Sequence, residues 1–196
     1  LTYQETGHIW RTGCPSVDIA IAAQETPAVT DEELGGSGPF VSTQQPFLLV
    51  LQHSETEDPE ASFRHMMTTL NACQSTGIPL LVMWPGNDAG LEGGLKAIRV
   101  AQQARPFRVI RSLPPERFLR LLGQCRTLVG NSSAGIREAC ALGVPVVNIG
   151  QRQRGRERGL NVQDVDHEFD QIRQALNGTP AIGPSVLLLS RQLLPS

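Results

Sequence analysis

The sequence predicts an α/β fold, a Rossmann-like parallel sheet with helices on both faces. Two observations carry that prediction. Short runs that are almost wholly apolar recur along the chain, each separated from the next by one helix-length segment, as strands covered on both faces require. Polar and small residues gather immediately after those runs, where an open parallel sheet places its ligands. With 196 residues, 40% of them hydrophobic, the chain has material for one large domain.

The elements follow in order. TGCPSVD (Thr12–Asp18) reads as a loop leading into a short helix over Val17–Ala23, so residues 1–23 form a lead-in segment belonging to the domain. Residues 24–45 include DEELGGSGP and are rich in Gly, Pro, Ser and Thr, the composition of a flexible loop. PFLLVLQ (Pro46–Gln52) is the first strand, and a helix is predicted over Pro59–Ser75. IPLLVMWP (Ile78–Pro85) is the second strand, followed by a helix over Leu91–Gln103. Phe107–Ile110 is a short strand before a helix over Pro115–Leu122. Then come strand Arg126–Val129, helix Ser132–Leu142 and strand Pro145–Ile149. Beyond Asn161 the pattern predicts one further helix, Phe169–Leu176, so the Rossmann-like domain is expected over residues 46–178. The tail 179–196 is atypical, with apolar bulk in VLLLSRQLLPS and no evident partner.

Composition excludes several classes. Lys and Arg total 17 against 19 Asp and Glu, a formal net charge of −2, which does not describe a nucleic-acid binder. No run approaches the roughly 20 apolar residues of a membrane span, and no signal-like segment follows Leu1. A cytoplasmic protein without membrane association is therefore expected. Cys14, Cys73, Cys125 and Cys140 are far apart and lack metal-knuckle spacing; they read as reduced thiols, three of them in apolar contexts, with a disulfide left open. No metal site and no cofactor are expected.

Asn131, Ser132 and Ser133 follow the strand ending at Val129 and open the next helix. Amides of Ser133–Gly135 at such a helix start favour an anion, and small side chains let a phosphate approach the backbone. Glu138, about one and a half turns further on, could accept hydrogen bonds from a sugar or ribose hydroxyl pair. The spacing equally fits a serine N-cap with a solvent-facing glutamate. In IGQRQRGRERG, Arg152, Arg154, Arg156 and Arg158 lie just beyond the next strand. Guanidinium groups bind phosphate through paired hydrogen bonds; the alternative is an exposed basic loop. No aromatic residues interleave these arginines, as a single-strand nucleic-acid surface would require. His53 stands at the end of the first strand, as an ordinary loop residue or as an imidazole able to exchange or donate a proton near neutral pH.

These residues also carry a resemblance. GNSSAGIREACALGVPVVNIGQRQRGRERGLNV (Gly130–Val162) resembles the signature of UDP-N-acetylglucosamine 2-epimerases, specifically the hydrolysing branch that makes N-acetylmannosamine for sialic acid and related nonulosonates. TGCPSVD, LQHSETED (Leu51–Asp58), WPGNDAG (Trp84–Gly90) and VIRSLPPERFLRLL (Val109–Leu122) occur in the family's order, so the resemblance covers most of Thr12–Val165. The family has two Rossmann-like domains in the B-type glycosyltransferase (GT-B) arrangement, with the UDP-sugar between them. This chain resembles only the carboxyl-terminal one, in keeping with its start at Leu1.

The resemblance implies roles residue by residue. His53 matches an essential histidine of acid–base chemistry or diphosphate stabilisation. Ser132 and Ser133 match the diphosphate-binding pair, Glu138 the ribose-binding carboxylate, and Arg152 a nucleotide-contacting arginine; Arg156 fits the same pattern. Asp88 matches a motif on the sugar side, although Gly86 stands where relatives commonly carry Asn. SLPPERF (Ser112–Phe118) resembles the segment whose backbone reads uracil. Lys96 and Arg99 match positions that sense a feedback inhibitor in animal relatives, but read more plainly as a solvated helix face. The implied reaction converts UDP-N-acetylglucosamine and water to N-acetylmannosamine and UDP, with essential carboxylates mainly on an amino-terminal domain that this chain lacks. UDP, UDP-N-acetylglucosamine, that domain and a second copy of the full-length protein are the implied partners. The chain alone is expected to be inactive. A non-hydrolysing epimerase, an enzyme for UDP-diacetamido sugars, and a non-catalytic UDP-binding or oligomer-forming module stand as alternatives. The family's YGDG segment and long final helix have no counterpart in the tail.

Overall fold

A computed structural model of the chain describes residues 13–55 and 58–178. Leu1–Thr12, and the tail 179–196, lie outside the described residues. Six strands form one sheet, β1 (Leu48–Leu51), β2 (Leu80–Met83), β3 (Arg108–Ile110), β4 (Thr127–Gly130), β5 (Val146–Ile149) and β6 (Val162–Val165). All are parallel, in the order β3-β2-β1-β4-β5-β6. The order reverses between β1 and β4, the point at which an open parallel sheet forms its ligand crevice.

Helices cover both faces. On one face α2 (Ser62–Ser75), α3 (Leu91–Ala104) and α7 (Phe169–Gly178) pack Met66, Leu70, Ile98 and Ile172 against Leu48, Val50, Val82 and Val147. On the other, α1 (Pro15–Ala23), α4 (Pro115–Gln124) and the short α6 (Glu138–Leu142) pack Ala20, Leu121, Leu122 and Ala139 against Leu49, Leu81, Leu128 and Val146. Leu48 and Val50 serve one core and Leu49 the other because successive strand side chains point to opposite faces. Burial on both faces is why the strands are apolar throughout rather than alternating.

Three local features depart from the sequence reading. Residues 24–45 are irregular but anchored, with Val29, Leu34 and Val41 buried in the second core. Ser37 exchanges two backbone hydrogen bonds with Val109 (2.9 and 2.8 Å), which covers the otherwise open edge of β3. Gly36 makes that approach possible: its φ is +79° and a Cβ would run into the Val109 carbonyl. Secondly, the single helix predicted over Ser132–Leu142 is two, α5 (Ser133–Ile136) and α6, broken at Arg137 with φ −109° and ψ −72°. Thirdly, β6 escaped the sequence reading. Its residues, VQDV, are half-buried or exposed at the sheet edge, so they lack the apolar run that marks an inner strand. Cys14, Cys73, Cys125 and Cys140 are all free.

Candidate functional site

The crevice is built around a buried asparagine. Asn131, the first residue after β4, is fully buried. Its Oδ1 accepts from the His53 backbone N–H (2.7 Å) and its Nδ2 donates to the His53 carbonyl (2.9 Å). The Asn131 carbonyl in turn accepts from the buried Gln153 Nε2 (2.7 Å) and, at longer range, from Arg152 Nη1 (3.5 Å). One residue thus joins the loops leaving β1, β4 and β5. A sequence reading finds Asn131 by its place after a strand, but the pairing with His53 spans 78 residues and has no local signal.

His53 is fixed on its other side as well. Its Nδ1 accepts from the Gly86 N–H (3.0 Å), so a neutral ring carries its proton on Nε2. Burial pushes the His53 pKa below the ordinary imidazole value; the Arg152 charge acts the same way and Asp88 opposes it. The neutral form is therefore favoured near pH 7. Asp88 Oδ2 lies 3.7 Å from His53 Nδ1 and accepts from Arg152 Nη2 at 3.3 Å. Position 86 has little room, since a Cβ there would lie 3.0 Å from Nδ1; glycine seats the ring where a larger residue would press on it.

Ser132 caps α5, its Oγ accepting from the Ala134 N–H at 3.3 Å, while its carbonyl accepts from the Gly135 N–H at 3.1 Å. Two of the three amides expected to be free for an anion are thus engaged locally. The Ser133 Oγ accepts from Arg137 Nη2 at 3.4 Å. Glu138 is buried at the start of α6 rather than facing solvent, and its Oε2 has no hydrogen-bond partner among the described residues. A buried acceptor of this kind costs about 1–3 kcal/mol until something donates to it.

The four arginines of the basic loop separate into different roles. Arg152 reaches Asp88 and Asn131, as above. Arg158 is structural: it donates to Asp164 of β6 (2.9 Å) and to the Gln153 carbonyl (2.8 Å), holding the loop to the sheet. The Arg154 and Arg156 side chains are exposed and make no hydrogen bond or ion pair among the described residues. His53, Asp88 and Arg152 are thus brought into one group with Asn131 at its base, while Arg156 stands outside it. Lys96 and Arg99 lie exposed on α3, Lys96 Nζ 5.7 Å from the centre of the Phe63 ring.

A six-stranded parallel sheet with this strand order, helices on both faces and charged groups at the reversal defines a Rossmann-like α/β domain. The chain also matches the family model described as UDP-N-acetylglucosamine 2-epimerase over residues 3–181, and it belongs to that family. It is 30% identical over 172 residues to UDP-N-acetylglucosamine 2-epimerase of Neisseria meningitidis serogroup B, covering 86% of this chain and 44% of the relative. Against the hydrolysing UDP-N,N'-diacetylbacillosamine 2-epimerase of Legionella pneumophila the identity is 27% over 173 residues, covering 86% and 45%. The chain therefore spans about half the length of these curated relatives.

Solved structures agree on the fold. UDP-GlcNAc 2-epimerase of Methanocaldococcus jannaschii, in complex with UDP-GlcNAc and UDP, superposes with a TM-score of 0.55 at 17% identity, covering 76% of this chain and 44% of that one. The Escherichia coli heptosyltransferase WaaC with ADP gives 0.52 at 15%, covering 71% and 46%.

Proposed function

We propose that the chain is the UDP-binding half of a hydrolysing UDP-N-acetylglucosamine 2-epimerase, converting UDP-N-acetylglucosamine and water to N-acetylmannosamine and UDP. The observation that carries this reading is the Asn131-centred junction, which brings His53 and Arg152 to the mouth of the serine-bearing turn, at the reversal of strand order. In this reading Ser132, Ser133 and Arg152 hold the diphosphate. An incoming phosphate replaces the long Ser132 Oγ contact on the Ala134 amide. The unpartnered Glu138 Oε2 accepts from a ribose hydroxyl, and Arg156 closes over the nucleotide from solvent.

The tautomer assigned to His53 distinguishes its two candidate roles. With Nδ1 already accepting from Gly86 and the proton on Nε2, the ring is a donor to developing negative charge on the departing diphosphate. Abstraction of the C2 proton then falls to carboxylates outside this chain, and breaking the C1–O bond expels UDP before water adds. Asp88 orients Arg152 and faces the sugar side. The isolated chain binds UDP weakly and releases no N-acetylmannosamine; measurable release of that sugar would refute the assignment of the base elsewhere.

Calorimetric titration with UDP tests the site. The parent should bind, and a folded variant with Ser132, Ser133 and Arg152 all changed to Ala should lose at least ~100-fold in affinity. Unchanged binding by that variant would remove the nucleotide from this crevice. The Legionella relative supports a second reading, a diacetamido sugar as substrate. Product analysis of the two-domain enzyme with each UDP-sugar separates the two.

A further inference from the structure

Behind the crevice, three side chains from separate segments converge without a role in the scheme above. Glu55 lies in the loop after β1, His65 on the first turn of α2, and His167 in the link between β6 and α7. Their ligating atoms all lie within 4.8 Å of one another, and the side chains are half-buried or nearly buried. The two imidazoles stack, centroids 3.6 Å apart and planes within 5°. Glu55 Oε1 is 3.3 Å from His167 Nε2, yet neither ring nitrogen of His167 has a hydrogen-bond partner among the described residues, and both are buried.

The backbone is shaped to permit this meeting. Gly150 has φ +76°, and a Cβ there would occupy the space of both Glu55 Oε1 and His167 Nε2. The same Glu55 oxygen accepts from the Gln151 N–H at 2.9 Å, at the base of the loop that carries Arg152. The buried ring nitrogens of His167 are left without a hydrogen-bond partner among the described residues, beside this carboxylate and the His65 ring. A divalent ion takes a lone pair from each of the three at once.

We propose that Glu55, His65 and His167 form a binding site for a divalent transition-metal ion of the zinc class, at the base of the Arg152 loop. Two imidazoles and one carboxylate are a donor set that suits zinc, with water completing the shell. While the rings are parallel no ion lies in both planes, so one imidazole turns out of the stack on binding. The bound ion ties α2 to the β6–α7 link and braces Gly150–Gln151. The site is independent of the UDP assignment.

The test is titration of the full chain with Zn2+ by calorimetry and with Co2+ by visible absorption. The expected result is saturation near one equivalent, with ligand-field bands and without the thiolate charge-transfer absorption that Cys14 or Cys140 would produce. His65→Ala and His167→Ala should each weaken binding by roughly 100-fold or more. Glu55→Gln, which keeps an acceptor for the Gln151 amide, should weaken it by at least ~10-fold and serves if either alanine variant fails to fold. Absence of saturable binding by the folded parent, a thiolate spectrum, or undiminished affinity in the folded variants would each overturn the proposal.

Discussion

His53 shows how far one residue's surroundings change its chemistry. Ordinary solution values would leave it partly charged just below neutrality, but burial and Arg152 hold its folded-state pKa down, with Asp88 in partial opposition. A histidine lowered on folding is fully stabilising above its unfolded value, where both states are neutral. As pH falls through that value the unfolded chain takes up a proton first, so stability declines until the folded-state pKa is passed. His65 is lowered too, by burial first and then by His167, with Arg64 in the same direction and Glu55 and Asp58 opposing. Urea unfolding between pH 7.5 and 5 should therefore show stability falling toward acid, with a shallower slope in His53→Asn, which keeps an acceptor for the Gly86 amide. An unchanged slope would contradict the buried, neutral assignment. The candidacy of His53 rested on its match to the family's histidine, since its place after a strand fits an ordinary loop residue as well; its tautomer was not legible, because Gly86 reaches it from 33 residues away. Cys73 illustrates the same dependence, its thiol pushed up to about 12 by burial alone.

Elements were legible where the chain is apolar and periodic, and obscure where contacts replace periodicity. Strands β1 to β5 are buried runs that declare themselves, whereas β6 is an edge strand whose ladder bonds to β5 carry no compositional mark. The segment over residues 24–45 reads as a loop, and its role as a cover for β3 depends on where Gly36 and Ser37 land. Gly36→Ala should destabilise the domain by about 2–3 kcal/mol, combining the cost of positive φ with the collision at the Val109 carbonyl, read as a lower urea midpoint. A value near zero would mean that the edge cover contributes nothing. At the crevice, Asn131→Ala removes two hydrogen bonds that lock the β1 loop to β4 and leaves the His53 backbone groups unpaired. A loss of roughly 2–4 kcal/mol is expected, with weakened UDP binding in any variant that remains folded. The break between α5 and α6 at Arg137 belongs to the same scale: helix propensity favours one continuous helix from Ser133, and the fold instead turns the chain so that Glu138 points inward.

Across the whole molecule, two cores share one sheet, and the sheet carries the crevice at the point where its strand order reverses. Among the described residues no helix is long and apolar enough to cross a membrane. A ligand that binds only the folded chain raises its stability by mass action, so UDP at 100 times its Kd should add about 2.7 kcal/mol. For a chain of this size that is a rise in Tm of roughly 5–10 °C, which a thermal melt with and without UDP reads directly; no rise at saturating UDP would count against the proposed site. By itself the sequence determined the α/β class, the inner strands and the family, because buried parallel strands need continuous apolar runs and the family's motifs are local strings. Only the tertiary structure decided the strand order, the Asn131 junction between three loops, the inward turn of Glu138 and the meeting of Glu55, His65 and His167. Each of these is a contact between segments distant along the chain, where geometry, not spacing, sets which atoms meet.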